Sequence, residues 1–200
     1  GGASEPVSLR PKERAVLAAV ALHHPRSSTT DRLVELIWPT GPPATARKAV
    51  QNHVLRIRRA AGDGLVHTVR GAYELGAQVD LDTDTLTSAV LEAAAAQRHD
   101  DQVARRQHLE HAVGCFHGDP FADLPRGPEV ATARRRLTEL RTEAEEGLGE
   151  TMLMQGSPHD ALELLEALME TRPYRERRWW LLMLAQYRSG RRSDALDSFA

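Results

Sequence analysis

PATARKAVQNHVLRIRRAAG, residues 43–62, is the stretch on which the fold turns. Pro42 and Pro43 stand at its head and Gly62 at its tail, the punctuation of a helix that starts after proline and stops at glycine. On a helical wheel Ala46, Val50, Val54, Ile57 and Ala61 share one face. Arg47, Lys48, Gln51, Asn52, Leu55, Arg56, Arg58 and Arg59 share the opposite one. No acid interrupts the stretch, whereas a merely solvated helix mixes both signs to form pairs one turn apart. Arginine and lysine suit phosphates, and the Gln51 and Asn52 amides carry the donor and acceptor that read an adenine edge. The stretch reads as a DNA recognition helix; the other reading is a solvated basic face on a core helix.

Upstream, PKERAVLAAVALH (11–23) begins with proline at a helix start and carries Val16, Leu17, Val20 and Ala21 as an apolar stripe, with Pro25 ending it. His23 and His24 lie at its C-terminus, where an imidazolium favours the helix dipole. Residues 27–30 read as a polar connector. Thr30 or Asp31 then caps a second helix, 31–38, burying Leu33, Leu36, Ile37 and, at its end, Trp38. Pro39, Gly41, Pro42 and Pro43 force a loop, so the order is helix, turn, helix, long loop, basic helix: a helix-turn-helix layout. Downstream, residues 65–69 have strand character. Arg70–Gly71–Ala72–Tyr73 reads as a tight hairpin with Gly71 at the first central position, a wing with Arg70 at its tip. Such an arginine is placed to enter a narrow minor groove; the other reading is a solvated turn arginine.

The succession LRPKERAVLAAVAL, TTDRLVELIW, ATARKAVQNHVLRIRRAAG and HTVRGAYEL resembles the winged-helix domain of OmpR-type regulators. More closely it resembles that of the Streptomyces antibiotic regulatory protein (SARP) family, over residues 9–76. The resemblance implies that helix 43–61 lies in a major groove and the hairpin reaches a minor groove. By position it places Arg47, Lys48, Gln51, Asn52 and Leu55 at base edges or sugar, Arg56 and Arg59 at phosphates, and Thr68 and Arg70 where the wing meets DNA. Two departures stand out. The family opens with a small N-terminal sheet, of which only residues 6–9 could supply a strand here, the preceding segment being removed or outside this chain. The wing is one residue shorter than the R-G-x-G-Y form.

The chain's charge is split: eleven lysines and arginines face seven acids over residues 1–80, about +4, and fifteen face twenty-one over the rest, about −6. A basic part that meets a polyanion and an acidic part that does not fit that split. The single cysteine, Cys115, forms no internal disulfide and points to a reducing, cytoplasmic compartment. No apolar run is long enough to span a membrane, and no signal peptide is evident. Residues 1–4, GGAS, read as a cloning scar or loop remnant.

A first domain over 5–79 and a second over 80–200 follow. In the second, Asp80, Asp82 and Asp84 mark the boundary, and Asp82 or Asp84 caps a helix near 85–98. A helix near 101–116 carries Val103, Leu109, Ala112, Val113 and Phe116, and a long one runs from Pro128 towards Gln155 with Leu137, Leu140, Ala144 and Leu148 inward. A repeat of 34 residues then appears: Leu148 recurs as Leu182, Gly156 as Gly190, Ala161 as Ala195 and Leu165 as Phe199, with Pro173 and Trp179 in the remaining repeat positions. That period is the signature of tetratricopeptide (TPR) helix pairs. The chain stops inside the last repeat's second helix, so continuation of the natural protein is expected. HGDPFADLP, ARRRLTELRTEAEE and LMLAQYRSGRRSDAL resemble the bacterial transcriptional activator domain (BTAD) that follows the winged helix in SARPs.

Several constellations are set aside. His108, His111 and Cys115 share a helix face near His117, but the surrounding pattern is that of a core and a metal site is not expected. Glu145–Glu146 and Asp100–Asp101 read as ordinary exposed pairs. There is no phosphate loop, no nucleophile elbow and no catalytic Cys–His signature, so neither enzymatic activity nor a cofactor is expected. The fold expected is mainly α: a winged helix-turn-helix with a β-hairpin wing, followed by an all-α TPR-like domain. The resemblance implies an activator that binds direct repeats in double-stranded DNA as a homodimer and recruits RNA polymerase holoenzyme through its σ factor, with residues 39–45 available for that contact. It also implies control of an antibiotic or other secondary-metabolite pathway. The rival readings are a TPR-type interaction scaffold and the N-terminal regulatory part of a larger ATPase-containing regulator.

Overall fold

The computed structural model describes residues 7–171 and 175–198. The chain forms two compact units that do not divide it at one point: residues 1–81 with 118–136, and residues 82–117 with 137–200. Segment 118–136, read from the sequence as part of the second domain, thus packs with the first unit.

In the first unit, α1 (Pro11–Leu22), α2 (Thr30–Ile37) and α3 (Ala46–Ala61) surround a three-stranded antiparallel sheet of β1 (Ser28–Thr29), β2 (Val66–Val69) and β3 (Ala72–Leu75), in the order β1-β3-β2. Apolar stripes from each helix meet in one core, including Val16 and Val20 of α1, Leu33 and Ile37 of α2, and Val50, Val54 and Ile57 of α3. Val66, Tyr73 and Leu75 close it from the hairpin, and Leu124 and Val130 from the returning segment. That segment is also tied by polar bonds. Arg14 Nε donates to Asp123 at 2.9 Å, and Glu129 meets both His23 (2.8 Å) and Arg32 (2.5 Å). Arg134 donates to the carbonyls of Pro120, Phe121 and Leu124.

Several local expectations change. Ser28–Thr29 is not mere connector: two polar residues pair with Tyr73 and Ala72, too short a run to show any alternation. Thr29 caps α2, its hydroxyl accepting from Arg32 N at 3.3 Å, in place of Thr30 or Asp31. Trp38 is only half-buried, with Lys12 Nζ 5.0 Å above its ring. Residues 7–10 form no strand, and Pro6 lies outside the described residues. The long loop takes the first turn of the helix expected from Pro43, so α3 begins at Ala46.

The second unit contains α4 (Asp82–Arg98), α5 (Gln102–Gly114), α7 (Pro158–Thr171), α8 (Glu176–Arg188), α9 (Arg192–Asp197) and residues 137–154 of α6 (Pro128–Met154). Asp82 and Asp84 lie in the first turn of α4 rather than ahead of it, where carboxylates favour the positive end of the dipole. Val103 is exposed, since α5 turns Leu109 and Ala112 inward instead. The period of 34 is visible in backbone hydrogen bonds. Ser157 N donates to Met152 O and Gly156 N to Leu153 O; 34 residues on, Arg191 N donates to Gln186 O and Gly190 N to Tyr187 O. Both turns are Schellman motifs whose glycines take left-handed φ of 76° and 83°. Ala161, Leu165, Leu148 and Leu182 are buried, whereas Pro173 and Phe199 lie outside the described residues.

Glu145 and Glu146 are not exposed: each is 3% accessible. They grip Arg178, which is fully buried. Its Nη2 lies 2.6 Å from Glu145, its Nε 3.2 Å from Glu146, and its Nη1 donates to Leu168 O at 3.3 Å. Arg141 also pairs with Glu145, and Arg175 with Glu146, so α6, α7 and α8 are joined through one buried charge cluster. Its two carboxylates looked exposed because their partner lies 32 and 33 residues away. Removing one member of a buried cluster strands the others. Arg178→Ala should therefore cost about 3–5 kcal/mol in urea unfolding; a loss below about 1 kcal/mol would contradict the cluster's structural role.

Candidate nucleic-acid interface

Helix α3 buries Ala46, Val50, Val54 and Ile57. One turn's geometry then sends Arg47, Lys48, Gln51, Asn52, Leu55, Arg56 and Arg59 outward, and all seven are exposed. Leu55 is 46% accessible, an apolar side chain in an otherwise polar face. The acids missing from α3 come from its neighbours. Arg47 forms a two-pronged pair with Asp31 of α2, at 2.6 and 2.9 Å. Both partners are well exposed, so the pair is worth only about 0–1 kcal/mol and another anion can replace it. Arg56 lies 3.9 Å from Glu13, a buried carboxylate that also accepts from Arg10 N. Lys48, Arg59 and Arg70 have no carboxylate within ion-pair distance among the described residues.

Arg58 leaves the outward face on which the wheel set it. It is half-buried and points to the hairpin, Nε donating to Val66 O at 2.8 Å and Nη2 to Thr68 Oγ1 at 2.7 Å. Its position flanks the buried face, beside Ile57, and its reach matches a strand that begins four residues after the helix's closing glycine.

The hairpin turn also differs from expectation. Val69 pairs with Ala72, so Arg70 and Gly71 are the two central residues, with φ of 51° and 82°. This is the two-residue turn with both φ positive that matches the twist of the strands, and glycine takes its second place rather than its first. Arg70 stands exposed at the tip, and Thr68 is exposed on β2.

Elsewhere, His108 pairs with Glu92 at 3.0 Å and the Cys115 thiol donates to His111 O. Burial pushes the Cys115 thiol up, and the nearby Asp82 carboxylate adds to this. Among the described residues no group of three or more His, Cys, Asp or Glu side chains is arranged to hold a metal ion.

His53 sits on the flank of α3, with a buried Nδ1 that finds no hydrogen-bond partner among the described residues. Burial holds its imidazole below the ordinary value of 6.5; Arg56 and Lys12 act the same way and Glu13 opposes them. The unfolded chain therefore takes up a proton before the folded one does. Stability present above pH 6.5 is lost as pH falls through 6.5 towards the folded value. Thermal unfolding between pH 7.5 and 5 should show that loss, and His53→Leu should flatten it; parallel curves for the two proteins would refute the assignment.

Residues 81–200 match the bacterial transcriptional activator domain, and residues 4–72 match the C-terminal module of transcriptional regulatory proteins. Over 95% of its length the chain is 34% identical to the regulatory protein AfsR of Streptomyces coelicolor, covering 19% of that protein. It is 28% identical to the transcriptional regulator RedD of the same organism, with 94% of the chain covering 56% of that protein. A solved structure of Mycobacterium tuberculosis EmbR, in complex with a low-affinity phosphopeptide, superposes with a TM-score of 0.83 at 26% identity, covering 97% of this chain and 53% of that one. The chain thus spans between about a fifth and somewhat over half of these relatives.

Proposed function

The chain belongs to the bacterial transcriptional activator domain family, in the SARP arrangement of an OmpR-type module followed by that domain, and on that premise we propose that it is a sequence-specific DNA-binding activator. Its named relatives are transcription regulators, and it is a regulator, not an enzyme. One observation carries the proposal: the exposed face of α3, four cations and two amides around Leu55, contains no acid of its own. In this reading Arg47, Lys48, Gln51, Asn52 and Leu55 meet base edges, with Leu55 suited to a thymine methyl. Arg56 and Arg59 meet phosphates, and Thr68 and Arg70 bring the wing to the minor groove. Displacing Asp31 from Arg47 costs little, so that arginine is available to DNA.

The family arrangement further supports two protomers side by side on direct repeats, with RNA polymerase holoenzyme and its σ factor as partner and a secondary-metabolite pathway as target. The place of action is then the cytoplasm, at the nucleoid. No helix among the described residues is long and apolar enough to cross a membrane.

The test is affinity for duplexes selected from a random pool, measured by fluorescence anisotropy against salt. A DNA reader loses affinity steeply as salt rises, because each phosphate contact releases counterions. A peptide-binding scaffold shows no such slope on DNA. Asn52→Ala or Gln51→Ala should cost about 1–3 kcal/mol on the selected element and relax base preference locally; equal losses on random duplexes would remove their reading role. Arg59→Ala should weaken all duplexes alike and reduce the salt slope by about one unit, and an unchanged slope would argue against a phosphate contact.

A further inference from the structure

β2 is one of the two outer strands of the three-stranded sheet and, among the described residues, pairs only with β3. The two-residue turn at its end sets the local shape of Arg70–Gly71. It does not set the angle between the hairpin and α3, whose chain link runs through Gly62 and Gly64. Core packing of Val66, Tyr73 and Leu75 holds the root of the hairpin, but residues 67–69 of β2 are exposed, so the step from α3 to the outer part of the wing is not fixed by the core. Arg58 spans it. The guanidinium is a rigid planar fork with fixed donor directions. Here one prong is fixed on the backbone of β2 and the other on a side chain two residues further along. At the other end, Ile57 is fully buried and locks the helical turn from which Arg58 projects. Both acceptors, a carbonyl and a hydroxyl, are neutral.

We infer that Arg58 is a positioning residue: it fixes the wing to the recognition helix at the angle that lets α3 and Arg70 engage DNA together. This rests on the proposed function and adds to it a residue that touches no DNA. Arg58 therefore differs from its neighbour Arg59, although the two are adjacent in sequence and identical in type. If the angle is what Arg58 supplies, its value for binding is realised through Arg70.

The experiment is a double-mutant cycle on the full chain, measured on a duplex selected by the unmodified protein. Arg58→Met keeps the aliphatic stem and removes both donors. Arg58→Lys keeps the charge but cannot reach both acceptors at once. In the unmodified background Arg70→Ala should weaken binding about tenfold. In the Arg58→Met background it should weaken binding less than about twofold, because the wing no longer reaches its groove. The Arg58→Lys background should fall between, and it carries the cycle if the methionine variant folds poorly by circular dichroism. In the free protein, amide exchange across residues 68–72 should quicken in both variants while exchange within α1 is unchanged. A full tenfold effect of Arg70→Ala in both Arg58 backgrounds would overturn the inference while leaving DNA binding intact. A salt slope that falls by about one further unit when Arg58→Met is added to Arg70→Ala would overturn it too, by making Arg58 itself a phosphate contact. If the unmodified chain selects no duplex, the proposed function fails and this inference with it.

Discussion

The packing of Val50, Val54 and Ile57 into the first unit's core determines everything outside it. A helix that buries one face has no freedom over what it presents on the other. With those residues inside, the side chains at 47, 48, 51, 52, 55, 56 and 59 must point to solvent, and the chain has placed cations, amides and one leucine there. The pieces that hold α3 in this orientation come from distant parts of the chain: α1, α2, the hairpin and the returning segment around Leu124 and Val130. The exposed face is cheap to deploy because its stability is supplied by the opposite side.

Arginine does two kinds of work in this protein, and burial separates them. On α3, Arg47 pairs closely with Asp31 but in open solvent, and Arg56 lies 3.9 Å from Glu13, so both remain available to another anion. In the second unit Arg178 is sealed between two buried carboxylates and a carbonyl, where a lost partner would leave charge stranded in a poor solvent. Arg58 lies between these extremes, half-buried on neutral acceptors. The basic split seen in the totals is therefore only partly an electrostatic footprint.

Much of this was legible in the sequence. The helices announce themselves by period and punctuation, and the glycines at 156 and 190 mark turns that recur as matched hydrogen-bond patterns. The helical period alone turns the seven exposed residues of α3 outward, while their role on DNA rests on the proposed function. Four features were hidden for physical reasons. β1 is two polar residues, below the length at which alternation can show. The turn register depends on strand pairing, which Arg70–Gly71 and Gly71–Ala72 do not distinguish locally. Glu145 and Glu146 look like surface acids until Arg178 is brought beside them by the fold. Asp31 and Glu13 come within reach of α3 only through tertiary packing, so a helix free of acids in sequence is not free of them in space.

The claim that α3 and the hairpin form one DNA-binding face is tested most directly by amide chemical-shift mapping of the isotope-labelled chain during titration with duplex DNA at low salt. Perturbed amides should cluster across residues 47–59 and 68–71, while α7 and α8 stay unmoved. Perturbations confined to the second unit, or none at saturating DNA, would contradict it.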